Sequence, residues 1–141
     1  MLRRWVKEIL DLENAPLTVL FQSFAFKDGI PLDADLVFDA RCLPNPHYDP
    51  DLKPLSGRDT AVIRYLESFD SVREMIQDIG GYLQKWLPRH AEEHRSYLTV
   101  AIGCTGGQHR SVYCADALYQ KFKDAYSCAV RHRSLSQRGK A

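Results

Sequence analysis

The stretch Tyr97-Leu98-Thr99-Val100-Ala101-Ile102-Gly103-Cys104-Thr105-Gly106-Gly107-Gln108-His109-Arg110-Ser111 starts as a near-continuous apolar run and ends in a glycine-rich loop. An apolar run without alternation describes a strand buried on both faces, the pattern of a parallel sheet. Beyond the loop, Val112, Ala115, Leu118 and Phe122 recur at helical spacing, with Tyr119 beside them. The order strand, loop, helix predicts a single compact α/β domain with a mostly parallel sheet and puts the loop at a helix N-terminus.

Upstream, Leu17 to Phe26 is rich in Val, Phe and Leu and breaks at Lys27-Asp28-Gly29-Ile30-Pro31, a strand followed by a turn. Leu36-Val37-Phe38 is a second, shorter strand. Residues 41–59 hold Pro44, Pro46, Pro50, Pro54 and Gly57, too many fixed or freed backbone angles for regular structure, so an ordered loop is expected around His47. Ser71 with Glu74 resembles a capping box. Val72, Met75, Ile76, Ile79, Leu83, Trp86 and Leu87 then mark the core face of a helix. Gly80-Gly81 interrupts that helix at a cost of about 1 kcal/mol per glycine, so either close packing requires the pair or the helix bends there. Leu2, Val6, Ile9 and Leu10 form one helical face, which makes residues 1–16 an N-terminal helix or the remnant of a linker. Residues 17–133 then form the domain, and residues 134–141 a loosely ordered basic tail, with order already loosening from Arg131.

The composition limits the function classes. Nineteen Lys+Arg against eighteen Asp+Glu leave a formal charge of +1, so any surface for nucleic acid must be local. No stretch approaches the roughly 18 apolar residues of a membrane helix, and the N-terminus does not read as a signal peptide. Cys42, Cys104, Cys114 and Cys128 include no Cys-x-x-Cys pair, which points to a reduced, cytoplasmic setting. Cys42, Cys114 and Cys128 read as small buried apolar residues. His90 and His94, four apart, lack the glutamate that a zincin helix needs beside its first histidine, so no metal and no cofactor is expected.

A buried strand emptying through glycines into a helix aims unpaired backbone N–H groups at one point, and that is an anion site. Gly106 and Gly107 allow positive φ angles, Thr105 and Ser111 add hydroxyl donors, and Arg110 can fork onto two oxygens. A small phosphorylated metabolite is the natural ligand. A tight turn with no ligand is the plain alternative. A sharper one is chemical: Cys104 and Arg110 have five residues between them and Ser111 follows, the spacing of cysteine-dependent phosphatases, in which a thiolate at a helix N-terminus attacks phosphorus. Gly103 stands where such enzymes usually have histidine. Asp39, Asp49 or Asp51 would supply the general acid only if the proline loop folds over the site.

The segment from Tyr97 to Tyr113 resembles the signature of the C-terminal domain of the bacterial RNase adapter family RapZ. Phe24, Phe26 and Lys27 with Gly29 to Asp35, then Val37-Phe38-Asp39 and Arg41, Leu43 to His47, and the closing Arg131-His132-Arg133 resemble it in the same order, so the similarity runs from about Leu17 to Arg133. The resemblance implies a non-catalytic domain that binds an amino-sugar phosphate of the glucosamine-6-phosphate type, binds small regulatory RNA and presents it to RNase E, and self-associates. It implies that Cys104, Thr105, Gly107, His109 and Arg110 form the ligand loop and that His47 lines the same site, with Asn45 and Arg41 as further candidates.

The family's usual N-terminal P-loop motif occurs nowhere in this sequence, so the chain is expected to be the C-terminal module alone, with a separate P-loop nucleotide-binding protein as a conceivable partner. The family often has lysine where Gln108 stands, and its lysine-rich tail is thinner here. From Lys121 onward, Lys121, Lys123, Arg131, Arg133, Arg138 and Lys140 face Asp124 alone, a local balance of +5. Together with His132, these residues are the candidate contacts to an RNA backbone. The other reading of the same cluster is a solvated basic face.

Overall fold

The computed structural model describes residues 17–93 and 95–138, with side chains through residue 135. The expected N-terminal helix, His94 and Lys140 lie outside the described residues, as does the side chain of Arg138. Four strands form one sheet: β1 (Thr18–Ala25), β2 (Leu36–Asp39), β3 (Tyr97–Cys104) and β4 (Ser127–His132). Their order is β2-β3-β1-β4 and every pairing is parallel, as the uniform apolar run of β3 predicts. Among the described residues four α-helices accompany them: α1 (Thr60–Glu67), α2 (Asp70–Glu92), α3 (Arg110–Phe122) and α4 (Arg133–Arg138).

The parallel register sets Val19 beside Leu98, Phe21 beside Val100, and Phe38 beside Ile102. These residues share one core with Leu83 and Leu87 of α2 and with Cys114, Ala115, Leu118 and Phe122 of α3, so both long helices cover that face of the sheet. Removing a fully buried leucine of this kind from water contributes about 1.5–3 kcal/mol, which is why the apolar stripe read from the sequence locates α2 correctly.

The start of α2 differs from expectation. The helix begins at Asp70 with Phe69 as N-cap and no side-chain cap, so Ser71 lies inside the first turn and does not form a capping box. Asp70 instead pairs with Arg73 one turn on. Of the two glycines within α2, Gly80 lies under Lys121 of α3, whose Cε would be 3.2 Å from an added Cβ, while Gly81 faces open space. Close packing therefore explains Gly80 alone.

Two elements carried too weak a signal to be expected. α1 buries only Val62 and Leu66, one turn apart. β4 is an edge strand whose inward residues Cys128, Val130 and His132 alternate with exposed neighbours. Consequently the chain around Arg131 is a strand, and Arg133–Arg138 is helical where a loose tail was expected. Parallel pairing with β1, which continues as far as Ser23 beside His132, orders it.

Candidate functional site

Register places Ala25 beside Cys104 and Asp39 beside Gly103, so the loops that follow β1, β2 and β3 open at one edge of the sheet. Ligands of open α/β sheets bind outside the carboxyl ends of the strands, and the structure has a cavity there of about 320 Å³. Its floor is Cys104, Thr105, Gly106, Gln108, His109 and Arg110; its outer wall is Lys27, Asn45, His47 and Tyr48. Seven of the residues proposed from the sequence thus meet around one space. Lys27, Tyr48 and Gln108 complete the wall. Lys27 had a signal, since it follows the strand that neighbours β3 and belongs to the quoted family motif.

The loop geometry follows from its glycines. Gly107 has φ +66°, and a Cβ there would lie 2.4 Å from Ser134 Oγ and 2.9 Å from the Ala25 nitrogen. Gly106 is not in the left-handed region, contrary to expectation, and faces open space. Gly103 serves packing: a Cβ would fall 2.4 Å from the Phe24 ring and 2.6 Å from that of Phe26. The histidine that precedes the cysteine in phosphatases cannot be housed where these rings lie.

Three consecutive residues tie the loop to the proline segment. Gln108 Nε2 donates to the carbonyls of Lys53 and Leu55 at 2.9 and 2.5 Å. His109 Nε2 donates to the Leu52 carbonyl at 3.1 Å. Arg110 Nη1 donates to the carbonyls of Arg41 and Leu43 at 2.6 and 3.1 Å. The backbone returns the contact, as Gly57 N–H donates to the Gln108 carbonyl at 2.9 Å. Burial pushes the His109 pKa down, so the ring stays a neutral donor to the loop. Gln108 is therefore a structural clasp.

Arg110 is 5% exposed, and its Nε is buried without a protein partner. Nη1 is held by carbonyls, and Arg110 also lines the cavity. Cys104 Sγ stands 3.1 Å from Ser111 Oγ and accepts from Ser111 N–H at 3.5 Å, in front of the α3 N-terminus. Ser111 is fully buried and serves the sulfur; neither it nor Gly107 lines the cavity, so both shape the site from behind. Asn45 Oδ1 accepts the His47 N–H at 3.0 Å and caps the short 3-10 turn that presents His47 and Tyr48.

Arg41 does not reach the cavity. Its guanidinium forks onto Asp39 at 2.7–3.1 Å and lies 3.9 Å from the centre of the Phe26 ring. The Arg41 hydrogen bonds hold the Asp39 carboxyl below the usual carboxylate range. None of Asp39, Asp49 and Asp51 lines the cavity, so none of the carboxylates named from the sequence faces Cys104.

The expected RNA contacts divide. Lys121, Lys123 and Arg131 are exposed, and Arg133 is half-buried. His132 is buried at 6%, with Nδ1 2.6 Å from Ser23 Oγ and Nε2 2.9 Å from Asp116 Oδ1. Arg58 also holds Asp116, at 3.2 Å. This chain of polar groups fastens β4 to β1 and α3, and it removes His132 from the RNA candidates. Cys42 is likewise exposed rather than buried, because it stands in the loop after β2. Among the described residues no cluster of three His, Cys, Asp or Glu could hold a metal ion, and no helix is long and apolar enough to cross a membrane.

Fold and site together define a parallel α/β domain with a cavity over a glycine-containing loop at the carboxyl edge of its sheet. Comparison with known proteins gives the family. The family model for the RapZ C-terminal domain matches residues 17–136, and the chain belongs to that family. It is 58% identical over 135 residues to a nucleotide-binding protein of Methylobacillus flagellatus, covering 95% of this chain and 48% of the relative. A nucleotide-binding protein of Aromatoleum aromaticum is 58% identical over 138 residues, covering 97% and 47%, and one of Bordetella avium 54% over 133, covering 94% and 46%. The chain thus spans about half the length of the curated relatives it matches.

Proposed function

We propose that this domain is a non-catalytic sensor and adapter that holds a phosphorylated sugar in the cavity beneath the proline loop. The observation that carries the reading is Arg110, 95% buried by its 5% exposure, lining the cavity with an unpartnered Nε. A buried guanidinium edge without a partner costs free energy unless an anion occupies it, and a charge-assisted bond there contributes about 1.5–3 kcal/mol. The α3 N-terminus adds its dipole to the same point. A glucosamine-6-phosphate type of ligand is the member of this class that the family resemblance implies.

Exposed Lys121, Lys123 and Arg131 and half-buried Arg133 are the proposed contacts to small regulatory RNA, and α4 begins against Gly107 of the ligand loop. Ligand and RNA would then compete for one region of positive potential. RNase E, a nucleotide-binding P-loop protein and a second copy of the chain are the proposed protein partners, in the cytoplasm. The test is calorimetric titration of glucosamine-6-phosphate, with glucosamine and inorganic phosphate as controls, into wild type and Arg110→Ala. Saturable binding that the substitution removes supports the reading; no binding of either phosphate compound sinks it. RNA affinity measured with and without the sugar phosphate then tests the coupling.

The phosphatase reading keeps one supporting feature, the sulfur of Cys104 bonded to Ser111 at a helix N-terminus. No carboxyl group lines the cavity, so a leaving-group proton would have to come from a side chain such as His47.

A further inference from the structure

The outer wall of the cavity differs chemically from its floor. The floor holds the loop before α3 and Arg110, whereas the wall carries the rings of His47 and Tyr48. The two rings meet edge to face, with centroids 6.1 Å apart and planes at 78°. Tyr48 is 84% exposed, its hydroxyl has no hydrogen-bond partner among the described residues, and His47 is its only ring contact there. Its backbone, by contrast, is fixed. Asn45 caps the turn through the His47 N–H, Pro46 occupies its first position, and the Asp49 N–H closes it on the Pro46 carbonyl at 3.0 Å. The chain just beyond is tied down in turn, because the Lys53 N–H donates to the Asp49 carbonyl at 2.8 Å and His109 holds the Leu52 carbonyl. A scattered exposed tyrosine needs no explanation, but one held on a fixed turn at the wall of a cavity is a preorganised surface for a ligand.

We infer that Tyr48 is the platform on which the ring of the sugar phosphate stacks, so that the cavity selects the closed, pyranose form of its ligand over an open chain. The inference rests on the proposed phosphate site and specifies what holds the other half of the ligand. With its phosphate on the loop beside Arg110, a hexose 6-phosphate extends its ring away from the floor and toward the wall. A pyranose carries its hydroxyls around the rim and C–H groups on its faces. A face laid on an aromatic ring removes apolar area from water while the rim stays hydrogen-bonded. An amino group on the rim, as in glucosamine-6-phosphate, leaves that face free. An open chain has no such face and loses more rotational freedom when ordered. Tyrosine suits the task, with few side-chain torsions to fix and a polar end for the water. At about 320 Å³ the cavity stands at the small end of ligand sites, which run from about 300 Å³ upward, as suits one sugar ring. Tyr48 makes none of the clasp bonds, so it determines specificity and not the shape of the loop.

The experiment titrates glucosamine-6-phosphate and its reduced, open-chain counterpart 2-amino-2-deoxyglucitol-6-phosphate into wild type, Tyr48→Phe, Tyr48→Ala and Arg110→Ala. The two compounds share the phosphate and the amine and differ in the ring. Wild type is expected to bind the ring form about tenfold more tightly than the open chain. Tyr48→Ala should weaken the ring form about tenfold and the open chain by less than about threefold, which abolishes the preference, while Tyr48→Phe should stay within about threefold of wild type on both. Thermal melts of the two Tyr48 variants should coincide with that of wild type, because the ring is exposed. Equal affinity of wild type for the two compounds overturns the inference, as does a Tyr48→Ala variant that weakens neither or both alike. So does a loss on Tyr48→Phe as large as that on Tyr48→Ala, which would assign the contact to the hydroxyl. If glucosamine-6-phosphate binds and Arg110→Ala removes it, those failures leave the phosphate site standing. If neither compound binds wild type, the phosphate site fails and the inference with it.

Discussion

The Arg110 guanidinium donates to the backbone carbonyl of Arg41 at 2.6 Å, joining the start of α3 to the start of the loop that leaves β2. One side chain thereby holds the proline segment and lines the cavity. Replacement with alanine removes two charge-assisted bonds to carbonyls and is expected to destabilise the fold by about 2–4 kcal/mol. It should also weaken phosphate binding by about tenfold to a hundredfold. Arg110→Lys keeps the charge but not the planar fork, so it should recover stability only in part. Denaturant midpoints and calorimetry on the two variants check both effects.

Gly107 and Gly106 are adjacent and should behave oppositely. Gly107→Ala places a Cβ 2.4 Å from Ser134 Oγ in a left-handed conformation, so a loss of about 2 kcal/mol or more is expected. Gly106→Ala meets nothing within 4 Å and should leave the thermal midpoint within a degree or two. Equal losses at both positions would mean that the loop geometry is wrong.

His109 makes stability depend on pH. Its folded pKa is below the unfolded value of about 6.5, because burial disfavours the charged ring. The unfolded chain therefore binds the proton first. The contribution is complete above about pH 6.5 and is lost as pH falls from there through the folded pKa. His109→Gln retains an N–H donor for Leu52 and cannot titrate. Unfolding curves between about pH 7.5 and 5.5 should show a smaller loss of stability on acidification for this variant than for wild type.

Cys104→Ser separates binding from chemistry. As a domain that binds and does not catalyse, wild type should not hydrolyse p-nitrophenyl phosphate, a substrate whose leaving group needs no acid, and the serine variant should bind sugar phosphate within about threefold of wild type. Turnover by wild type that the substitution abolishes would establish the phosphatase instead.

His132 and its neighbour Arg131 separate stability from RNA contact. His132→Ala strips the partner from Ser23, a fully buried hydroxyl, and opens space beneath β4; a loss of about 2–4 kcal/mol is expected. Arg131→Ala, on the exposed side of the strand, should leave stability unchanged and lower the salt slope of RNA binding by about one. Thermal melts and RNA titrations at several salt concentrations read the two separately.

Much of the scaffold was legible because local patterns carry it. The uniform apolar run of β3 announced parallel pairing, and the stripe from Val72 to Leu87 announced a long helix on the core. The first turn of α2 was misread because Ser71 and Glu74 have the spacing of a capping box, whereas the helix begins two residues earlier, at Asp70 with Phe69 as N-cap. β4 and α4 were missed because Ser127 to Arg138 has few apolar residues, and its order comes from pairing with β1 across more than a hundred residues.

The site divides along the same line. Sequence alone located the loop between β3 and α3, since glycines and Arg110 stand within a few consecutive residues, and it determined the family through motifs that remain adjacent along the chain. Only tertiary structure decided which face each side chain meets. It brought His47 and Lys27 to the cavity, turned Arg41 to Asp39, buried His132 between Ser23 and Asp116, and made Gln108 a clasp rather than a ligand contact. Those outcomes depend on carbonyls and carboxylates contributed by distant segments. A hydrogen-bonding side chain takes whichever partner the fold brings within about 3 Å, and spacing along the sequence does not encode that.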